Sequence, residues 1–319
     1  MSVEWRVRAR GAVNRRRSIL IAYGVLCLLL IAAVAVSPSF ASSGAAATVA
    51  TQASFIALVG IGQTFVIIGG GIDLSVSAVI SSSAVLLSSA ARGSNSALAW
   101  VLPLILALAV CVGLINGIGV AAGVSPIIMT LGVEGVVAGA LLLYTKGTAP
   151  SAPPPSDIVW LSTHRWGPLP VDVVLWAVLG LLAGFVLTKT VFGRRLYATG
   201  SSGTVAEFSG VTVTAVRVGS YVVSAVCAAI AGVVIAGYVG TAYLTLGDTF
   251  LFSSITAVVI GGASILGGSG RYAGTVAGAL TLTVLASLLT ILNLTEGYLE
   301  IIYGAVILCA VGVATNRLQ

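Results

Sequence analysis

Long apolar runs separated by short polar breaks dominate the chain. They cover about 19–36, 46–68, 74–91, 97–119, 126–144, 171–188, 217–239, 250–266, 272–292 and 298–315. Most approach the roughly 20 apolar residues that a helix needs to cross a bilayer. None alternates apolar and polar positions as a membrane barrel strand does. The pattern predicts an all-α polytopic membrane protein with about ten transmembrane helices. Two breaks are too long to be turns. The first, about 145–170, holds Pro150, Pro153, Pro154, Pro155, Pro168 and Pro170. Proline fixes φ and removes a donor, so an ordered or semi-rigid surface loop without long helices is expected there. In the second, about 189–216, Thr204 with Glu207 three residues on fits a capping box, and Gly210 fits a C-terminal cap. A short helix of about two turns is expected between them.

Composition agrees with a membrane location. Hydrophobic residues make up 58% and charged residues 8%, where soluble domains carry about 25% charged. The formal charge of +6 does not point to nucleic acid, because the basic residues sit at the ends of the apolar runs. Threading ten crossings from a cytoplasmic N-terminus puts Arg6, Arg8, Arg10, Arg15, Arg16, Arg17, Lys189, Arg194, Arg195, Arg217, Arg271 and Arg317 inside. Only Arg92, Lys146 and Arg165 fall outside. That asymmetry is the positive-inside bias. It predicts two cytoplasmic termini, a cytoplasmic tail over 1–18 and an external 145–170 loop. Asp157, Asp172, Asp248, Glu296 and Glu300 then cluster outside. The basic start before 19–36 also fits a secretory signal, but the many later runs favour a retained first helix. Cys27, Cys111, Cys227 and Cys309 lie in apolar runs without metal-ligand spacing and read as small buried hydrophobes. His164 has no second ligand nearby and reads as a solvated loop residue, so no metal site is expected.

Residues 62–80 carry the most specific chemistry. An apolar run ends in Gly69, Gly70 and Gly71, and Asp73, Ser75 and Ser77 precede the next run. Three glycines let the backbone leave a helix through positive φ. Asp73 and Ser75 are N-cap candidates for the helix that follows. Two readings fit: a turn between two membrane helices, or a helix break within the membrane, tolerated where protein or a water-filled cavity covers it. Either keeps Asp73 out of lipid, since a carboxylate there is costly and marks function. Thr64–Gly70 is echoed 192 positions later by Thr256–Gly262, a weak sign of an internal repeat. Closely spaced glycines, as at Gly113 and Gly117 or Gly270, Gly274 and Gly278, would let helices approach closely.

The block Gly-Gly-Ile-Asp-Leu-Ser-Val (70–76) resembles the signature of the membrane permeases of bacterial ATP-binding-cassette sugar importers of the ribose, xylose and arabinose type. The resemblance continues in order through Pro126–Leu131, Tyr144–Gly147, Phe192–Gly200, Ser209–Val211, Ala257–Ser264 and Gly267–Arg271. Ser77 departs from it, standing where the family commonly has glycine. Importers of branched-chain amino acids are more distant relatives, and Gly-Ile-Asp-Leu-Ser points to the sugar branch. The resemblance implies one permease domain over 1–319 that moves a monosaccharide or related polyhydroxylated solute. It implies partners too: cytoplasmic ATPases, an external sugar-binding protein and a second permease copy or homologue, all in the lipid of the cell inner membrane. It also implies that 189–216 is the coupling loop, with Thr204, Glu207, Phe208, Ser209 and Gly210 docking on the ATPase.

The chain has no phosphate-cradling Gly-x-x-x-x-Gly-Lys-[Ser/Thr], no nucleophile elbow and one histidine. It is therefore read as a non-enzyme without a cofactor. Gate or helix-break candidates are Gly69, Gly70, Gly71, Asp73, Ser75, Gly261 and Gly262. Neutral polar residues within runs, chiefly Gln63, Thr64, Asn116 and Asn293, are candidates for the solute pathway; they equally suit interhelical hydrogen bonds. The competing reading is a self-sufficient ion-coupled transporter using Asp73 and Glu134, the two acids within runs. A non-transport scaffold would leave the inner loop and the glycine breaks unexplained. The sugar itself is not legible.

Overall fold

The protein, seen as a computed structural model, is described over residues 3–295 and 297–316, with side chains over 20–295 and 297–311. Thirteen helices appear among the described residues. They are α1 (Val3–Val36), α2 (Ser43–Ile68), α3 (Val76–Ala91), α4 (Leu98–Ala121), α5 (Pro126–Thr145), α6 (Ser156–Thr163) and α7 (Val171–Lys189). Then come α8 (Val191–Ser201), α9 (Gly203–Phe208), α10 (Val213–Val239), α11 (Asp248–Ile260), α12 (Tyr272–Ile291) and α13 (Gly297–Asn316). A 3₁₀ turn covers Pro38–Ala41, and Arg165–Trp166 pairs with Leu169–Pro170 in a minimal antiparallel hairpin. The fold is all-α, and each of the ten apolar runs coincides with a helix. Among the described residues six helices are long and apolar enough to cross a membrane: α2, α4, α5, α7, α10 and α12. Leu20–Val36, α3, α11 and Gly297–Val311 are shorter apolar helices. The side chains of Arg6, Arg8, Arg10, Arg15, Arg16 and Arg17, and residues Glu296 and Arg317, lie outside the described set.

The bundle forms around α10, which packs against α4, α2, α3 and α6. Glycine makes this packing possible. A Cβ at Gly117 would fall 2.5 Å from the Val218 Cα, and one at Gly113 would fall 2.6 Å from the Val222 Cα. Gly274 and Gly278 meet the backbone of Gly261 and Ala257 in the same way. Small residues at helix crossings let backbones touch where no hydrophobic effect drives helices together. The outer faces are as apolar as the inside, with Leu131, Val136, Leu143, Leu181 and Phe185 all exposed.

Several sequence expectations need correction. The 145–170 segment has no long helix, as expected, but it is not only surface: Ile158 and Ser162 of α6 are buried and cover Gly237 of α10. Asp172 is buried at the start of α7, accepting from Thr51 Oγ1 at 3.3 Å and Ser54 Oγ at 3.1 Å. Of the cysteines only Cys227 is buried, whereas Cys27, Cys111 and Cys309 are exposed on apolar outer faces. His164 stacks on Trp160 with ring centroids 4.7 Å apart.

Candidate functional site

The end of α2 shows what the three glycines do. Gly69 closes the helix in the αR region, and Gly70 swings to φ +84. The Gly70 N–H donates to Ile67 O at 3.0 Å and the Gly71 N–H to Val66 O at 2.9 Å, a Schellman-type closure. Gly71 admits no side chain, because a Cβ there would meet the Tyr221 hydroxyl. The chain then reverses through Ile72–Ser75 and starts α3.

This reversal is inside the bundle. The Ser224 side chain faces the Asp73 carboxylate and lies eleven residues into the 27-residue α10. At 1.5 Å per residue that is about 16 Å from the start of α10, in a helix of about 40 Å. Irregular backbone at such depth needs its polar groups satisfied by neighbouring protein. The Gln63 side-chain amide donates to Asp73 O. The Leu74 N–H donates to Thr130 Oγ1 at 3.1 Å, and Thr130 in turn donates to Pro126 O at 2.9 Å. Asp73 Oδ1 accepts from the Ser75 N–H at 3.0 Å and the Ser75 hydroxyl at 2.6 Å, while Asn116 Nδ2 donates to Ser75 Oγ at 2.8 Å. Asp73, expected to cap α3, instead closes an Asx turn onto Ser75, ahead of the helix. Ser75, also expected to cap, makes no cap bond of its own.

A second helix starts within the bundle, and this one the apolar pattern concealed. After α10 ends at Gly240 (φ +75), residues 241–247 turn back with Ala242 and Leu246 buried. The Gly247 N–H donates to Ser81 Oγ at 2.9 Å, and Ser77 Oγ donates to Asp248 Oδ1 at 2.6 Å. So α11 begins beside the first turn of α3. Asp248 was expected at the outer end with Asp157. It sits instead some 21 Å of α3 away from Ala91. Glu134 of α5 is close enough for its charge to repel that of Asp248.

The far end of α11 repeats the end of α2. Gly261 (φ −64, ψ −5) matches Gly69 (φ −70, ψ −4), and Gly262 at φ +85 matches Gly70. The Gly262 N–H donates to Val259 O at 2.9 Å and the Ala263 N–H to Val258 O at 3.2 Å. The echo 192 positions apart is thus an echo in backbone geometry.

The end of α2 and the loop after α11 meet the segment after α7. α9 is capped by Ser202, whose Oγ accepts from the Val205 N–H at 3.4 Å; the expected cap, Thr204, lies one residue inside the helix. Gly210, at φ +79, ends it as expected, with the Val211 N–H donating to Ala206 O at 3.0 Å. Val205 is 64% and Phe208 89% exposed. At the last turn of α8, a Cβ on Gly200 would collide with Ile68 O, and the Gly268 N–H donates to the same carbonyl at 2.9 Å. Gly200, the end of α2 and the loop after α11 therefore touch backbone to backbone.

Of the pathway candidates, Gln63 and Asn116 are brought together at the 73–75 turn. Thr64 instead joins α2 to α12, 2.8 Å from Thr275 Oγ1. Asn293 lies apart at the exposed end of α12, with φ +55. Sequence reading missed Ser224 and Tyr221, which carry no signal within a run of small and apolar residues. Thr130 lies within the family-like block Pro126–Leu131, where its side chain carries no signal of its own. Among the described residues no group of three or more His, Cys, Asp or Glu is placed to hold a metal ion.

The family model described as branched-chain amino acid transport system / permease component matches residues 45–311. The ribose import permease of Haemophilus influenzae is 31% identical over 293 residues, 90% of each chain. That of Bacillus subtilis is 33% identical over 299 residues, covering 90% of this chain and 89% of the relative. The autoinducer 2 import system permease of Photorhabdus luminescens is 32% identical over 311 residues, 96% of this chain and 92% of the relative. No solved structure matches. Matched along most of its length and built from apolar helices, the chain belongs to this permease family: it is a multi-pass inner-membrane permease of the bacterial ATP-binding-cassette importers.

Proposed function

We propose that this chain is the channel-forming subunit of an importer for a monosaccharide or related polyhydroxylated solute. An external binding protein delivers the solute, and ATP hydrolysis on separate cytoplasmic subunits drives its passage. The whole chain acts as one permease domain of ten crossings with both termini cytoplasmic, paired with a second copy or a homologue. The observation that carries this reading is α9. It presents Val205 and Phe208 to solvent beside a glycine contact that leads straight to the end of α2. Exposed apolar groups on a short cytoplasmic helix are what a partner's groove takes up. Relatives named for ribose and for autoinducer 2 support a small polyhydroxylated cargo. Import-permease relatives also count against the self-sufficient ion-coupled alternative.

Reconstitution with the ATPase and candidate binding proteins tests this. Ribose uptake should require ATP and a loaded binding protein. Phe208→Ala should weaken ATPase retention by tenfold or more, the range of an anchor residue, and leave binding-protein docking intact. Uptake that runs on an ion gradient without ATP would refute it. For orientation, an impermeant thiol reagent should label Ser151→Cys, in a background free of native cysteines, on intact cells. Labelling only after lysis would reverse the topology.

A further inference from the structure

Four buried side chains around the start of α3 each keep one oxygen without a hydrogen-bond partner: Asp73 Oδ2, Gln63 Oε1, Asn116 Oδ1 and Ser224 Oγ. Their residues are 0–1% exposed. Buried polar atoms are nearly always paired, so four around one turn call for a specific explanation. The two amide orientations follow from the hydrogen bonds. Gln63 must offer its nitrogen to the Asp73 carbonyl, which can only accept. Asn116 must offer its nitrogen to Ser75 Oγ, because that hydroxyl already donates to Asp73. Both amides therefore leave oxygen unpaired. All four free atoms can accept, and one belongs to a carboxylate.

Held ionised at this depth, the carboxylate needs a countercharge. A buried, unpaired charge is among the most costly groups a fold can hold. No basic residue occurs between Arg92 and Lys146 or between Arg217 and Arg271, the stretches that contain α4 and nearly all of α10. Arg217, at the start of α10, lines a cavity of about 260 Å³ together with Tyr221. Ser75 holds the Asp73 carboxylate through Oδ1, and the Ser224 side chain faces it.

We propose that the 73–75 turn holds a monovalent alkali cation, ligated by oxygens of Asp73, Gln63, Asn116 and Ser224. Hard cations take carboxylate, amide and hydroxyl oxygens, and a single carboxylate balances a single positive charge. Discontinuous helices in transporters use unwound segments of this kind for ions. Entry is from the cavity at Arg217, lined also by Gly69, Gly70, Gly71, Ser220 and Tyr221. The Tyr221 hydroxyl stands between it and the turn, 3.5 Å from Ile72 O. A bound ion ties α2, α4 and α10 to the first turn of α3 and holds the helix break closed.

The test is thermal unfolding of the purified permease–ATPase complex in nanodiscs, in sodium, potassium and choline chlorides of equal ionic strength, beside direct binding of radiolabelled sodium. One alkali ion should raise the midpoint saturably over choline. The rise should be about 2–4 °C at tenfold excess over its dissociation constant. Ser224→Ala, which keeps the carboxylate, should weaken the ion's effect at least tenfold, and Asp73→Asn should abolish it. Equal midpoints in the three salts would overturn the proposal, as would an ion effect unchanged in both variants. A midpoint that follows pH but not alkali ion would show that a proton neutralises Asp73, and would overturn it too. These readouts need no cargo, so failure of sugar uptake would sink the transport reading and leave this one standing.

Discussion

The ends of α2 and α11 share a sequence, a backbone and a seat, yet they do different things. Each closes with one αR glycine and one glycine near φ +85; the end of α2 meets Gly200 of α8 directly, and α11 reaches it through Gly267 and Gly268 of the loop that follows. After Gly71 the chain turns straight back into the bundle and buries Asp73 beside Ser224. After Ala263 it runs through a loop without an acid, Ser264–Gly270, before α12 begins. Local sequence sets how a helix stops; the next four residues, and what α10 and α4 offer them, decide whether the stop becomes a polar site.

The shared seat is where the largest effect is expected. Gly200→Val would drive a side chain into Ile68 O and the Gly268 amide, two backbone atoms that cannot rotate away. Overpacking of this kind costs about 1–3 kcal/mol or more, so the melting temperature and the yield of intact complex should both fall. A neutral result would show that the two ends are not held through α8.

Asp73 should break the symmetry. Asp73→Ala leaves the Ser75 N–H and hydroxyl unpaired in a buried place, at about 1–3 kcal/mol. Asn keeps an acceptor and should lose about half of that. Denaturation of the purified chain measures both. Indistinguishable alanine and wild-type proteins would remove Asp73 from the support of α3.

Gly70→Ala and Gly262→Ala sharpen the likeness. Each asks an L-residue to hold positive φ, at about 1 kcal/mol, and equal losses of stability are expected. At Gly70 the nearest atom to a new Cβ is 3.7 Å away, so the cost there is conformational and not steric. Losses differing more than twofold would end the equivalence. The smallest effect belongs to Ser77→Ala, which removes the donor to Asp248. Because this part-buried bond is one of few that Asp248 makes across helices, about 0.5–1 kcal/mol is expected in thermal melts.

Sequence alone determined that the chain is helical and apolar, where its long apolar helices lie to within a few residues, and where glycine stops several of them. These are properties of short windows: apolar runs bury anywhere along a helix, and positive φ demands glycine locally. It also determined the family, because ordered blocks such as Gly70–Val76 and Phe192–Gly200 need no geometry to be compared. Only tertiary structure decided depth and company. The run at 250–266 reads like any other span, yet α11 starts halfway into the bundle and stops at Ile260, because 241–247 fold inward and Gly261 must touch Gly274. Ser224 looks like one more small residue until α10 lays it against Asp73, and Asn293 looks polar and available until it turns out to close α12. Hydropathy records what a residue prefers to touch. Which helix face meets which is settled by packing between segments over a hundred residues apart, and no single window contains that information.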